Sequence, residues 1–304
     1  MACLLLLKTR RAMSIGRYCR CDCLGWFSME GKIMLKKKSI GIALACALAL
    51  GAWSGSTLAT PINVGGVVWD PTSPLDLTVQ ALNFRESSIS SVGDVLTGYG
   101  VIGSFNGTNQ ATFCPGCDLS FTFQYTVSSI IGNRVEFSPG SISFFVDNTS
   151  SFNVLNPATA GVGTPWLTLS GHTGAVLGFV GTAQLFSEVV GTVTNPLTGS
   201  NGIGFLDATG GPAASFFQTH TQPDGLGGFA DFTLNSEFLN SIVRGCASTP
   251  SPDPTSVCHY PITGTATLIG RTVPEPGEMG LLGLGLAFLG LLVGRRRKET
   301  EGRV

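Results

Sequence analysis

Short stretches in which apolar and polar residues alternate fill the middle of the chain. A period of two is the pattern of a half-buried β-strand. The clearest case is Leu119–Tyr125, where Leu, Phe, Phe and Tyr alternate with Ser, Thr and Gln. The same pattern predicts further strands near residues 77–84, 96–105, 142–146, 185–193, 203–207, 230–234 and 263–269.

Residues typical of turns separate these strands. Glycine, proline and asparagine combine at Asn106-Gly107, Ser138-Pro139-Gly140, Asn156-Pro157, Asn195-Pro196 and Pro223-Asp224-Gly225. Between the turns, no segment shows the 3.6-residue periodicity of a long amphipathic helix. The pattern therefore predicts an all-β fold, with a single β-sandwich or jelly-roll-like domain over residues 60–272.

Charge is scarce and unevenly distributed. Charged residues make up 12% of the 304 positions, against about 25% in an average protein. The net charge of −1 hides an acidic domain with four arginines, no lysine and thirteen acidic residues between two basic ends. An acidic domain lacks the basic patch of a nucleic-acid binder. The distribution is typical of an exported domain between two membrane-directed signals.

The basic N-terminal end has the order of a secretory signal. Lys36–Lys38 form a positive start, residues 40–52 are apolar, and a small-residue site precedes the Ala59–Thr60 bond. Residues 34–59 are therefore predicted to be a cleaved signal peptide with a helical apolar core. Residues 1–33 are interpreted either as the result of a start codon assigned too early, with Met34 as the true start, or as a dispensable extension.

Two other interpretations of the first 33 residues stay open. The segment can be an unusually long positive region of the signal, or it can bind a metal through Cys19, Cys21 and Cys23. The spacing of these cysteines is tighter than the usual zinc pattern.

The C-terminal end combines an apolar run with a basic cluster. The apolar residues 279–294 are followed by Arg295-Arg296-Arg297-Lys298. Sixteen helical residues span about 24 Å, which is short of a bilayer core of roughly 30 Å. The pattern predicts a marginal transmembrane helix whose basic cluster and tail, residues 299–304, stay cytoplasmic while the domain lies outside.

A Val-Pro-Glu-Pro motif, a short glycine-rich hydrophobic helix and a terminal arginine cluster together resemble the PEP-CTERM sorting signal of Gram-negative bacteria. The resemblance covers residues 273–298. It implies recognition by an exosortase-like membrane protease, an inner-membrane precursor, and a final location at the cell surface or outside the cell. The residues it implicates in sorting are Pro274, Glu275, Pro276, Arg295, Arg296 and Arg297.

A second resemblance concerns the domain. Leu96–Gly100, the Cys-Pro-Gly-Cys tetrapeptide and a Leu-x-Phe-x-Phe strand are similar to a group of PEP-CTERM ectodomains, over most of residues 90–235. This resemblance implies that the domain is exported and where its boundaries lie, and it implies no activity.

Four cysteines lie in the domain, and an even number in an exported chain favours disulfides. Pro and Gly between Cys114 and Cys117 suit a type II turn whose ends lie within 7 Å, and Cys246 and Cys258 flank a Pro/Ser-rich loop. The expected pairs are 114–117 and 246–258. A redox-active C-x-x-C, which needs a following helix, and a four-cysteine zinc site, which needs two short pairs, are the alternatives.

Candidates for catalysis and for ion binding are few. The chain has no recognised catalytic motif, and the histidines at 172, 220 and 259 stand alone. Glycoside hydrolysis needs two carboxylates at a defined separation, for which the candidates are Glu86, Glu136, Glu188 and Glu237. Calcium prefers oxygen ligands, and the candidates in turn-like contexts are Asp70, Asp76, Asp207, Asp224 and Asp231.

The sequence thus favours a non-enzymatic, exported surface or extracellular-matrix protein without a cofactor. Its expected role is interaction with the polysaccharide of an exopolysaccharide or biofilm matrix, or with other surface proteins. A secreted polysaccharide hydrolase and a calcium-stabilised adhesin are the alternatives. Two carboxylates about 5–9.5 Å apart in one cleft would favour hydrolysis, and clustered aspartate oxygens at a loop end would favour the adhesin.

Overall fold

A computed structural model describes residues 60–273 and 285–286. Residues 1–33, the signal peptide 34–59, the Pro-Glu-Pro motif, the basic cluster and all but two residues of the apolar run lie outside the described residues. Within the described residues, no helix has the length and hydropathy needed to span a bilayer.

Sixteen strands make up about half of the described chain. In chain order they are β1 Ile62–Val64, β2 Val67–Trp69, β3 Thr78–Glu86, β4 Val95–Phe105, β5 Thr108–Asn109, β6 Asp118–Ile131, β7 Arg134–Asp147, β8 Thr164–Gly171, β9 Leu185–Glu188, β10 Gly191–Thr192, β11 Asn195–Pro196, β12 Ser200–Gly210, β13 Gln222–Pro223, β14 Phe229–Ala230, β15 Phe232–Asn240 and β16 Ile262–Ile269.

Helices are short in the described residues. The α-helix α1, Gln110–Phe113, is one turn long, and 3₁₀ turns cover Pro157–Thr159, Ala214–Phe216 and Val257–His259. The all-β prediction is therefore confirmed.

The long strands form one antiparallel sheet that closes on itself. Its order is β15-β16-β3-β4-β6-β7-β8-β12, and β12 pairs with β15 to complete a ring of eight strands. Strand β9 extends the wall beside β8 by pairing with both β7 and β12. The fold is a closed barrel, so the predicted two-sheet sandwich or jelly roll is wrong. Alternation assigns side chains to two faces, and it does so identically in a sandwich and in a barrel.

The alternation of β6 shows how the sequence fills the barrel. Leu119, Phe121 and Tyr125 point into the core and are buried, whereas Gln124 on the opposite face is exposed. Large rings need space on neighbouring strands, and glycines provide it. A Cβ at Gly98 would lie 2.2 Å from the ring of Phe123, the residue that it faces.

One predicted turn is a strand. Ser138-Pro139-Gly140 lies inside β7, at an irregularity in its pairing with β6. Proline is tolerated in strands at such irregularities. Gly140 faces Tyr125, whose ring occupies the position that a Cβ would take, 1.9 Å away. The glycine here serves close packing, which its sequence context does not reveal.

Aromatic residues close one end of the barrel. Trp69 of β2 stacks on Phe217 with ring centroids 5.3 Å apart and contacts Trp166 of β8 edge-on. Phe105 and the α1 residue Phe113 join the same cluster. The hairpin β1–β2 and α1, with its adjoining disulfide, therefore act as a plug.

The interior is a packed core. Three cavities that lie among its described residues measure about 30, 40 and 50 Å³. Ligand pockets for small molecules measure about 300–1,000 Å³, so these three cavities are too small for such a ligand.

Candidate functional site

Two grooves of ligand size lie on the outer surface of the described barrel, and the first crosses β4, β6 and β7. It has a volume of about 460 Å³. We call it the hydroxyl groove, because many of its lining residues are Ser, Thr or Tyr, several of which lie at alternate outward positions of the strands. The lining residues are Thr97, Gly98, Tyr99, Thr122, Phe123, Gln124, Ser141, Ser143, Pro157, Ala158, Pro254, Thr255 and Tyr260.

Strand register aligns the floor of the hydroxyl groove in two parallel rows. One row is Thr97, Gln124 and Ser141, which are direct neighbours across the three strands, and the other is Tyr99, Thr122 and Ser143. Adjacent strands lie about 4.7–4.9 Å apart. The first row therefore presents hydroxyl and amide groups at a regular spacing, perpendicular to the strands, whereas Tyr99 in the second row is buried.

The first wall of the hydroxyl groove is the loop between β7 and β8, which contains the 3₁₀ turn Pro157–Thr159. Tyr99 donates its hydroxyl hydrogen to the carbonyl of Val154 at 2.8 Å. The carboxylate of Asp118 accepts the backbone N–H of Phe152 at 2.9 Å. Two buried side chains of the barrel therefore fix this wall.

Asp147 holds the base of the same loop. Its carboxylate accepts hydrogen bonds from the hydroxyls of Ser151 at 2.6 Å and Thr149 at 2.7 Å, and from the Thr149 N–H at 2.9 Å. The Ser151 hydroxyl and the Thr149 groups lower the pKa of Asp147 to about 2. Asp118 lies opposite Asp147 across β6 and β7. This buried acid pair binds the loop and is not part of a groove lining.

The second wall is the loop between β15 and β16, which brings Pro254 and Thr255 to the rim of the hydroxyl groove. The disulfide Cys246–Cys258 crosses this loop, with the two Cα atoms 5.4 Å apart. Tyr260 donates its hydroxyl hydrogen to the Pro254 carbonyl at 3.2 Å. The wall is thus held by one covalent cross-link and by a hydrogen bond.

Arg85 attaches this second wall to the barrel. Its guanidinium donates to the carbonyls of Tyr260 at 3.1 Å and Ser241 at 3.3 Å. The rings of Tyr99 and Tyr260 meet edge to face at 4.9 Å. Burial raises the pKa of Tyr99 to about 12 and also raises that of Tyr260. Because no described lining residue carries Asp, Glu, Lys, Arg or His, the hydroxyl groove is electrically neutral near pH 7.

The disulfides are those that the cysteine spacing predicts. Cys114–Cys117 closes a single turn, with Cα atoms 5.1 Å apart, and Cys246–Cys258 closes the wall loop. The strand β6 follows Cys117, so the helix that a redox-active C-x-x-C requires is not present there. Disulfides persist in oxidising compartments, which favours an extracytoplasmic location for the domain.

The second groove lies across β12, β15 and β16 and has a volume of about 540 Å³. We call it the amide groove. Val176 and Phe179 of the loop between β8 and β9 form its apolar wall. Its floor again consists of outward-facing residues in register, namely Asn201, Ile203, Asn235, Glu237, Thr265 and Thr267.

The four glutamates considered for glycoside hydrolysis are dispersed. Glu86 is buried inside the barrel, and burial also raises the pKa of the outer-face residue Glu136. Glu188 and Glu237 both flank Asn201, one on each side. Two strand spacings separate them by roughly 9.5 Å, but the described lining of the amide groove includes Glu237 and not Glu188. Among the described residues, these four glutamates do not form the pair in one cleft that would favour hydrolysis.

The aspartates considered for calcium divide between two places. Asp70 and Asp76 lie near β3, where Asp76 accepts the Thr272 hydroxyl at 2.6 Å. Asp207, Asp224 and Asp231 lie near β12 and bind protein donors. In residues 60–273 and 285–286, no group of three or more His, Cys, Asp or Glu side chains is arranged to hold a metal ion.

His172 joins two of these aspartates. Its Nδ1 lies 2.7 Å from Asp207, and its Nε2 lies 3.3 Å from Asp224. Both ring nitrogens can donate only when the imidazole is protonated. Burial lowers the pKa of His172, but hydrogen bonds and charge from the two carboxylates raise it more, and the net shift is upward. With both nitrogens engaged, His172 acts as an ionic clasp between β12 and the loop after β13.

The other two histidines have no shared site. His259 faces the carbonyl of Ser251 at 2.7 Å within the disulfide loop. His220 is largely exposed beside Asp231.

The sequence pattern did not predict the hydroxyl groove, although the polar residues that form its floor are visible in the alternation. The polar members of the alternating strands, such as Thr122 and Gln124, are the floor residues.

Comparison with known protein families, curated proteins and solved structures finds no match for this chain.

Proposed function

We propose that this chain is an exported, non-catalytic binding module of an extracellular matrix, and that its hydroxyl groove holds a segment of neutral polysaccharide. The observation that carries the proposal is a surface groove of about 460 Å³ whose described lining combines hydroxyl and amide side chains with apolar surface, such as that of Phe123 and Pro157, and contains no charged side chain. Such a lining both donates to and accepts from the hydroxyls of a sugar.

The regular rows of the floor support this ligand class. Thr97, Gln124 and Ser141 lie one strand spacing apart, and a spacing of about 4.7–4.9 Å is comparable to the length of one pyranose unit. A glycan that runs across the strands can repeat the same hydrogen bonds from one sugar to the next. Pro157 and Pro254 on the walls offer apolar surface to the C–H faces of the rings.

Charge selects against other polymers. The domain carries thirteen acidic residues and four arginines, which repels nucleic acids and acidic polysaccharides. Hydrolysis has less support than binding, because the two glutamates that share a row, Glu188 and Glu237, line no common groove among the described residues.

The second part of the proposal concerns sorting. The chain is exported by the signal at 34–59, held briefly by its short apolar run, and cleaved near Pro276 by an exosortase-like membrane protease. Replacing Arg295, Arg296 and Arg297 by alanine is expected to leave uncleaved precursor in the membrane, because these cations fix the register of the cleavage motif. R303A, in the tail beyond the cluster, is the matched control. Mass spectrometry of the mature wild-type protein contradicts transient anchoring if the arginine cluster is still present.

Binding is tested by affinity electrophoresis of the purified protein through dextran, mannan, xyloglucan and alginate. We expect retardation by at least one of the three neutral polymers and none by anionic alginate. The double variant T122V/Q124A removes two polar groups from the floor and is expected to weaken that binding about tenfold, at roughly 0.5–1.5 kcal/mol for each lost hydrogen bond.

The matched control is T126V, which lies on the same face of β6 outside the groove lining. It is expected to bind like the wild type. The proposal fails if no neutral polymer retards the wild-type protein, or if T122V/Q124A binds as well as T126V does.

A further inference from the structure

We infer that the amide groove is a second site for the same class of neutral glycan, and that the protein cross-links two polysaccharide chains held on opposite faces of the barrel. This inference rests on the proposed function of the hydroxyl groove. It extends that function from holding one chain to joining two.

The topology places the two grooves opposite each other. The hydroxyl groove is centred on β6 and the amide groove on β15. In the closed order β15-β16-β3-β4-β6-β7-β8-β12, the strand β6 is four steps from β15 in either direction. Because the ring is closed, four steps of eight lead to the far side. Two chains can therefore bind without contacting each other.

The floor of the amide groove repeats the construction of the first. Asn201, Glu237 and Thr265 are direct neighbours across three strands, and Asn235 and Thr267 are neighbours in the next row. Carboxamides and hydroxyls again alternate at one strand spacing. The exposed carboxylate of Glu237 adds a strong acceptor, and an ionised acceptor forms shorter and stronger hydrogen bonds with hydroxyl donors than a neutral one does.

The wall of this groove supplies an apolar platform. Phe179 is half-buried, and its ring packs on Phe186 with centroids 5.1 Å apart. The guanidinium of Arg134 lies 5.5 Å from the Phe179 centroid. These contacts hold the ring in place beside the polar floor. A fixed aromatic face next to hydroxyl-binding groups suits the amphipathic faces of a sugar ring.

Two sites on opposite faces change the behaviour of a polymer. Each protein molecule can bridge two chains, and each chain can bind many protein molecules. Linked binding of this kind raises the overall avidity above that of either site. The expected product is a network that forms only when both grooves are intact.

The test uses the purified full chain with dextran, mannan and xyloglucan and with oligosaccharides cut from each. Calorimetry with the oligosaccharides measures the number of sites, and light scattering with the polymers measures network formation. The variants are T122V/Q124A in the hydroxyl groove and E237Q/T265V in the amide groove. The controls are T126V and T233V. Thr126 lies on the same face of β6 as Thr122 and Gln124, Thr233 lies on the same face of β15 as Glu237, and neither residue lines a groove.

We expect two sites per wild-type molecule and a rise in scattering with at least one polymer. Each double variant should weaken one of the two sites about tenfold, leave the other at wild-type affinity and reduce the rise in scattering, whereas both controls should behave like the wild type. A single wild-type site that is weakened in T122V/Q124A and unchanged in E237Q/T265V refutes the inference and leaves the proposed function standing. An absence of any site with all three glycans refutes both.

Discussion

Replacing Cys246 and Cys258 together by serine is expected to abolish glycan binding at the hydroxyl groove and to lower the stability of the domain. The disulfide crosses the loop that carries Pro254 and Thr255 to the groove rim. Without the cross-link, the loop keeps only hydrogen bonds such as that of Tyr260. The wall then becomes mobile, and ordering it again costs free energy on every binding event.

The stability effect can be estimated from the loop length. Closing a loop of this size reduces the conformational entropy of the unfolded chain, which raises the free energy of the unfolded state by about 3 kcal/mol at 25 °C. For a domain of about 200 residues, such a loss lowers the melting temperature by roughly 6–12 °C. Thermal unfolding followed by circular dichroism measures this change, and affinity electrophoresis measures binding.

The matched control is C114S/C117S. This pair closes only one turn, near the aromatic plug and away from the hydroxyl groove. It removes the same chemistry, with a smaller expected entropy loss of about 2 kcal/mol, and should leave binding unchanged. Full binding by C246S/C258S, or equal loss of binding by the control, would show that the covalent wall is not needed.

The stability of the domain is expected to fall as pH rises from about 5 to 8, chiefly because of Glu86 and His172. Burial inside the barrel raises the pKa of Glu86 from its usual 4.5 to about 8. Between these values the folded chain keeps a proton that the unfolded chain releases. Raising the pH therefore favours unfolding, by on the order of 4 kcal/mol over the whole interval.

His172 acts in the same direction for a different reason. Its raised pKa comes from the ionic clasp with Asp207 and Asp224. A histidine of this kind contributes stability that is fully present below its unfolded pKa of about 6.5. The contribution is lost as pH rises through the folded pKa. Asp147 has the opposite dependence, because its lowered pKa makes stability fall only in strong acid.

Two variants separate these contributions in urea unfolding at pH 5, 6.5 and 8. E86Q keeps the shape of the side chain without the proton equilibrium, so we expect a gain over wild type that grows toward pH 8. H172N should be destabilised at pH 5 and lose most of that difference at high pH. The control H220N changes an exposed histidine and should follow the wild type. An E86Q difference that does not change with pH contradicts the assignment to Glu86.

Several features of the fold were determined by the sequence, because short-range geometry governs them. Alternation placed β6 and β16 within the observed strands, since a strand shows its two faces with period two. Asn106-Gly107 forms the predicted turn, and the structure shows that it closes the hairpin of β4 and β5 with positive φ at both residues. The Pro-Gly turn brings Cys114 and Cys117 together locally, and Cys246 and Cys258 form the other expected pair, at the two ends of the loop that they flank.

Strand assignment failed where tertiary packing overrode local signals. The strand β8 was missed, because Pro165 and the adjacent buried pair Trp166 and Leu167 break its alternation. Ser138-Pro139-Gly140 was predicted to be a turn, but the ring of Tyr125 needs Gly140 opposite it within β7. For Gly140 the deciding partner, Tyr125, lies on the neighbouring strand β6 and not in the local sequence.

The sequence by itself determined the position of seven of the eight strands that form the ring and which face of each of these strands is polar, and it favoured the two cysteine pairs that form. Only the tertiary structure decided that β12 pairs with β15, because hydrogen bonds between remote strands depend on register and closure rather than on local pattern. That closure turns the polar faces into two opposed grooves. It also buries Glu86 inside the barrel, where loss of solvation raises its pKa.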